Sequence, residues 1–354
     1  MFLRVTLVLA AVAAFVIRIP SWWVERFYSR RVYASLQPVV TGLSNGVPFA
    51  LFDALLALSA LLVLGWAIHA VVRARRGRFL RCLAGSVLTL LAAAATVYLA
   101  FLGMWGLNYE REPLAQKLVF DGRAATPERI AGLARDGAAQ LNGLHDRAHR
   151  EGFPEWERLI AVMDPTFRSI QVHLASGVDP VPGVPKWSLL SYYFARAGVT
   201  GMTDPFFLEV LVDRDLLPFE RPFVVAHEWA HLGGYADESE ANFVGWLTCV
   251  NGSRPAAYSG WLYLYSEALA AVPRSERAQI VRMLAPGPRA DLVAIAKRAR
   301  RIQPVVQSVS WRVYDRYLKA NRVGEGIASY DRALVLLAGA KYERGWMPVV
   351  RSSE

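Results

Sequence analysis

Polar and apolar positions are spread unevenly along the 354 residues of this chain. Three long apolar runs crowd its first third. Val5 to Ile17 is uncharged between Arg4 and Arg18, Phe49 to Val72 holds one acid, Asp53, near its start, and Leu83 to Leu107 holds no charge. A helix needs about 20 residues to cross a bilayer core, so the second and third runs are long enough. The first suffices if its flanking arginines reach outward. Trp22 and Trp23 follow it, where an interfacial aromatic belt falls. The pattern predicts three transmembrane helices, at about 3–19, 49–72 and 83–107, forming a membrane domain over residues 1–107. The small residues AVAA (11–14) lie inside the first run rather than after it, which favours an uncleaved anchor over a cleaved signal peptide.

From Pro113 onward polar and apolar residues alternate as in a globular chain. Thr126 can cap a helix running toward His149, with Pro127 and Glu128 in its first turn. SIQVHL (169–174) alternates like a short strand, with His173 structural or exposed on it, and FFLEVLV (206–212) is a second strand candidate. VDPVPGVPKW (178–187) reads as loop. Helices fill 255–345, broken near Pro273, at PGP (286–288) and at Gly324–Gly326. The fold expected is mainly α: membrane helices, then a mostly helical α+β domain over 108–354 with a small β-sheet. No internal repeat, P-loop or dinucleotide-type glycine motif is present.

Charge changes the picture once it is divided by region. Apolar residues make up 54% and charged residues 20% of the chain, mean hydropathy is +0.24, and disorder is excluded. The net charge of +10 would suggest nucleic acid. Yet residues 1–107 hold ten arginines against Glu25 and Asp53, a local +8, leaving +2 for all the rest. The basic excess flanks and connects apolar runs, so it speaks of topology. RARRGRFLR (73–81) carries five arginines, against four in the longer Arg18–Pro48 loop. The positive-inside tendency then puts the N-terminus and the 73–81 connection in the cytoplasm, and residues beyond about Asn108 outside. That topology separates Cys82 from Cys249 and forbids a disulfide between them.

One motif carries chemistry. In VVAHEWAHLGG (224–234), His227 and His231 are four apart and share a helix face, where they can ligate one metal ion. Glu228 follows the first histidine, positioned to act as general base on water polarised by that ion. Pro222 suits the helix start, and Gly233–Gly234 its stop. A third ligand is needed for a catalytic zinc site. If Asp237 caps a second helix, Glu238 and Asn242 share its face, the carboxylate for the metal and the amide for a ligand histidine. Glu240 lies about 200° round from Glu238 and is the reserve ligand. His145 and His149 are also four apart, but lack the adjacent glutamate and the apolar approach. They read as a solvated helix face.

HExxH followed by Glu238 opening an E-x-x-x-N unit resembles the gluzincin, thermolysin-like zinc metallopeptidases. The gap to the third ligand is shorter than in those enzymes, and Asn242 stands where they carry aspartate. More narrowly, the chain resembles an uncharacterised bacterial family of membrane proteins with N-terminal transmembrane helices and an external HExxH domain. MWGLNYER (104–111), TGMTDPF (200–206), HEWAHLGGYADESEANF (227–243) and YLKANRVGEGIASYDRALVLL (317–337) carry that resemblance. It implies a zincin-like domain holding one Zn2+ through His227, His231 and Glu238, with Glu228 as base. It also implies residence in the bacterial inner membrane. In zincins an edge strand ahead of the HExxH helix pairs with extended substrate, a role open to 206–212, though plain sheet packing accounts for it equally. An oxyanion stabiliser is also needed. Tyr330 in SYDR is the candidate, with Tyr192, Tyr193 and Tyr235 no better.

The functional expectation is a membrane-anchored zinc peptidase acting outside the membrane on a protein or peptide. Two alternatives stand beside it: a metal-stabilised, non-catalytic binding or assembly module of the cell envelope, and a zinc hydrolase of cell-wall peptides. An intramembrane protease fits poorly, because Glu220, Arg221, Asp237, Glu238 and Glu240 bracket HEWAH and no apolar span of about 20 residues contains it. Nothing in the near-neutral external domain points to nucleic acid.

Overall fold

A long apolar stretch favours helix, which satisfies its backbone polar groups internally. The computed structural model describes residues 1–74, 79–321 and 332–351, apart from the side chains of 73, 74, 79–84 and 344. Its first third is helical: α1 (Phe2–Val16), α2 (Ser21–Asn45), α3 (Leu51–Ala74) and α4 (Phe79–Met104). Two helices are long and apolar enough to cross a membrane, over Leu51–Val72 and Gly85–Met104, and none of the first span is covered by the rest of the chain.

The expected crossing at 3–19 does not stand beside these. With 15 residues, α1 is about 22 Å long against a hydrocarbon core of about 30 Å. It reaches spanning length only together with α2, from which it is bent by 115°. Pro20 causes the break, since proline pushes the preceding residue, Ile19, out of the helical region. Helix α1 lies alongside α4 in the same direction: Arg4 donates to Thr89 (2.9 Å) and Phe15 meets Tyr98 edge-on. The Arg18–Pro48 segment, expected as a loop, is largely α2. Its Val24–Tyr33 section winds as a π-helix and buries Val24, Tyr28 and Tyr33. Asp53, at the start of α3, accepts from the Ser188 hydroxyl (2.6 Å) and the Leu189 N–H (2.8 Å), so that acid is held by the 188–189 loop.

In the second part, Thr126 caps α5 (Pro127–Glu151) by accepting the Arg129 N–H, as its sequence predicts. SIQVHL is not a strand but the end of α6 (Trp156–His173). Its alternation is also the 3–4 spacing of a helix face: Met163, Phe167 and Ile170 are buried, while Val172 is exposed. His173 ends α6 with its ring against the Pro348 carbonyl (2.6 Å). A mixed three-stranded sheet, in order β1-β3-β2, is formed by β1 (Pro185–Trp187), β2 (Gly201–Thr203) and β3 (Val210–Val212). A short helix, α7 (Ser191–Ala197), lies between β1 and β2. The 206–212 candidate shrinks to β3 because Asp204 accepts the N–H groups of Phe206 and Phe207 and turns the chain. Moreover β3 is the central strand, parallel to β1 and antiparallel to β2.

Among the described residues seven further α-helices follow: α8 (Arg221–Leu232), α9 (Glu238–Val250), α10 (Arg254–Ala271), α11 (Arg274–Arg282), α12 (Pro286–Ala299), α13 (Pro304–Ala320) and α14 (Arg332–Gly339). Pro273 separates α10 from α11 as expected, whereas PGP opens α12, where proline fits the first turn. Gly324–Gly326 lies outside the described residues. The main core centres on Trp229 of α8 and Phe243 and Trp246 of α9. It also takes in Tyr33 of α2, Phe101 of α4 and Trp105 just beyond α4. The membrane-length part and the helical part therefore share one core.

Candidate metal centre

The HEWAH segment forms α8, whose stop is built as the glycine pair predicts. Gly234 takes φ +82°, open to glycine without strain. Its N–H bonds the His231 carbonyl (2.9 Å) and the Tyr235 N–H the Ala230 carbonyl (3.1 Å), a Schellman closure. After that turn Asp237 caps α9, accepting the Ser239 N–H (2.9 Å), and α9 runs back against α8. The approach is backbone to backbone. A Cβ at Gly245 would lie 2.9 Å from the His227 nitrogen and 3.0 Å from its Cα.

This packing delivers Glu238, not Glu240, to the histidines. Glu238 Oε2 lies 3.3 Å from His227 Nε2 and 3.5 Å from His231 Nε2. Ligand atoms of a tetrahedral zinc with bonds of about 2.0–2.1 Å are about 3.3 Å apart. His231 Nδ1 meets the Tyr235 carbonyl (2.8 Å), which leaves Nε2 free for a metal. Glu238 Oε2 and His227 Nδ1 are buried and make no aligned hydrogen bond. A carboxylate oxygen without a hydrogen bond, between two imidazole nitrogens, is a donor set that a cation completes. Electrostatics agree. Burial would lower the His231 imidazole, but Glu238 outweighs it and lifts it to about 9. Burial would raise Glu238, yet the imidazoles hold it well below the usual carboxylate range.

Glu240 points elsewhere and accepts the Leu114 N–H (2.5 Å), with burial and Asp237 pushing it up to about 7. Asn242 is buried one turn beyond Glu238 and, among the described residues, hydrogen-bonds neither histidine. Glu228 is 3% exposed and is raised by burial. Its Oε2 lies 2.8 Å from the Thr203 hydroxyl, and β2 passes so close that a Cβ at Gly201 would collide with it. The strand against the HEWAH helix is thus β2, an edge strand. Tyr330 lies outside the described residues. Tyr192 is exposed under Arg196, Tyr193 donates to Ser310 (2.8 Å), and Tyr235 is buried behind Arg111.

Several partners of the site carry no sequence signature of their own. Tyr314 of α13 donates to Glu238 Oε1, 76 positions away in sequence. The N-terminal third grips the end of α8: Trp105 Nε1 donates to the His231 carbonyl (3.1 Å), Tyr33 to that of Leu232 (2.9 Å) and Arg111 to that of Gly233 (3.1 Å). Together with the Schellman bonds, these donors satisfy all four terminal carbonyls. Arg111 is itself held by the buried Glu25 (2.9 Å), which also takes Lys117 (2.6 Å). MWGLNYER and TGMTDPF, conspicuous in the sequence but without assigned chemistry, are therefore the braces of α8.

The fold defines a class: a mainly helical protein with two membrane-length apolar helices, in which an HExxH helix sits at the centre of the core. The chain belongs to the family described as Protein of unknown function (DUF3810), matched over residues 28–338. That stretch begins within α2 and includes His227, Glu228, His231, Glu238, Thr203 and Tyr314, with Glu25 just outside it. No curated protein and no solved structure matches the chain.

Proposed function

We propose that this protein is a membrane-anchored zinc hydrolase of the gluzincin type, cutting peptide bonds outside the bacterial inner membrane. The observation that carries the reading is the convergence of His227 Nε2, His231 Nε2 and Glu238 Oε2 at tetrahedral-edge distances, with that carboxylate oxygen otherwise unbonded. Zinc bound there supplies Lewis-acid chemistry, acidifying water and polarising a carbonyl. The chain supplies the rest. Glu228 takes the proton of the attacking water and passes it to the departing amine, while Thr203 holds its carboxylate in place. Tyr314 orients Glu238. The edge strand β2, lying on α8, offers backbone groups to an extended peptide. The exposed apolar surface of α3 and α4 fits lipid, and the arginines of 73–81 favour a cytoplasmic connection between them, with the helical part outside.

A second reading, a metal-stabilised assembly module without catalysis, is favoured by the near-complete burial of Glu228. Full-length protein in detergent separates the two. Zinc binding with cleavage of a peptide library, lost in Glu228→Gln while zinc is retained, supports the hydrolase. Bound zinc with no cleavage supports the module, and absence of zinc overturns both. Fragments of cell-wall peptide, as opposed to protein, in wild-type but not Glu228→Gln cells would identify the substrate.

A further inference from the structure

The histidine pair on α5, which lacks a neighbouring glutamate and reads in sequence as a solvated face, is not one. His145 and His149 face α10 and α12, where Asp291 of α12 comes between them. His149 Nε2 is 2.8 Å and His145 Nε2 is 3.7 Å from Asp291 Oδ2. These two distances bracket the edge of about 3.3 Å expected for a tetrahedral site with bonds of about 2.0–2.1 Å. His145, His149 and Asp291 form one of two His/carboxylate groups among the described residues whose donor atoms gather closely enough to hold a metal; the HEWAH cluster is the other.

We propose that His145, His149 and Asp291 form a second, structural site for a divalent transition metal of the zinc type. Two imidazoles and a carboxylate are the donor mix such ions take, and a solvent molecule completes the set on the half-exposed side of His149. The supporting groups are in place. Asp146 Oδ1 lies 2.8 Å from His145 Nδ1, so the proton sits on that nitrogen and the Nε2 lone pair faces Asp291. Tyr258 of α10 donates to Asp291 Oδ2 (2.6 Å) and orients the carboxylate. The first turn of α12 lies flat on the His145 ring, so closely that a Cβ at Gly287 would collide with it. Phe153 closes the other side, edge-on to His149 with ring centroids 5.2 Å apart.

The geometry does not depend on a metal to assemble. Asn142, one turn before His145, donates to the Met283 carbonyl (2.8 Å) and accepts the Ala285 N–H (2.8 Å) at the start of α12. That pair of bonds fixes α12 against α5 and delivers Asp291 to the histidines. An ion there would join helices whose ligands are 142 positions apart in sequence. It would also brace the approach to α8: Phe219 packs on His149 and Phe153, and Arg298 of α12 clamps Glu220 (2.7 Å).

The test counts zinc. Full-length protein in detergent is stripped with chelator, dialysed against Zn2+ alone and assayed for metal per chain. The expected result is two ions in the wild type, one in His231→Ala, one in His149→Ala and none in the combined variant. In the His231→Ala background, added Zn2+ should raise the melting temperature. Asp291→Asn, which keeps the shape of the side chain and its tyrosine contact, should abolish that rise. One ion in the wild type, lost in His231→Ala and kept in His149→Ala, overturns this site and leaves the HEWAH reading intact. One ion lost only in His149→Ala does the reverse. Zinc content in His231→Ala that is indifferent to both His149→Ala and Asp291→Asn also overturns it.

Discussion

Replacing Tyr33 by phenylalanine tests how far the N-terminal third belongs to the candidate metal centre rather than merely anchoring it. The substitution removes one oxygen and keeps the ring. Tyr33 is fully buried, and its hydroxyl is the donor to the Leu232 carbonyl at 2.9 Å. That carbonyl is one of the four left open by the end of α8, and among the described residues nothing replaces the lost donor. An unsatisfied buried carbonyl costs about 1–3 kcal/mol. The neighbouring His231 carbonyl is different: it takes both Trp105 and the Gly234 N–H, so losing the indole donor leaves it bonded. With roughly 2–4 °C per kcal/mol for domains of 150–250 residues, Tyr33→Phe should lower the melting temperature by roughly 2–12 °C. The assay is thermal unfolding of full-length protein in detergent, with Tyr193→Phe as control. Tyr193 is exposed and, among the described residues, its hydroxyl bonds only Ser310, so its loss should stay within about 0.5 kcal/mol. Equal melting temperatures for the two variants would refute the argument that α2 caps the HEWAH helix.

Two further outcomes follow from the same geometry. Gly245→Ala puts a methyl group against the His227 backbone, which cannot swing away as a side chain could. The overpacking cost of about 1–3 kcal/mol should outweigh the gain of up to about 1 kcal/mol in helix propensity. Zinc content should fall as Glu238 is pushed from the histidines, and a more stable variant with full zinc would contradict this. The third outcome concerns pH. Burial lifts the Asp204 carboxyl to about 7, with Glu209 adding to the rise while the Phe206 and Phe207 N–H groups and Lys186 oppose it. Its folded value lies above the unfolded one, so folding favours the protonated form. Its contribution is full below about pH 4 and is lost as pH rises to about 7. Denaturation midpoints should show that slope in the wild type and a flatter one in Asp204→Asn; identical slopes would count against it.

Local periodicity made much of this molecule legible. The second and third apolar runs, the Thr126 cap, the HEWAH helix, its glycine stop and the Asp237 cap all appear where their residues demand, because each depends on neighbours within a turn or two. That Glu238 rather than Glu240 lies beside the two histidines was also within reach, since helical geometry sends the two in different directions. The failures share one cause. SIQVHL has a pattern that fits strand and helix alike, and only burial of Phe167 and Ile170 against the core decides. The segment after Pro20 looks like a loop until its buried face meets α8.

The sequence by itself determined which helices are apolar enough for a membrane and which three side chains, two histidines and a glutamate, share one short segment. What only the tertiary structure decided is what surrounds them. Thr203 on Glu228, Tyr314 on Glu238, the Tyr33, Trp105 and Arg111 donors on α8, and the meeting of His145 and His149 with Asp291 all join residues far apart in the chain. Periodicity records which face a residue turns inward. The partner it meets there is fixed by packing, which in this protein brings Gly245 against the His227 backbone and the first turn of α12 against His145.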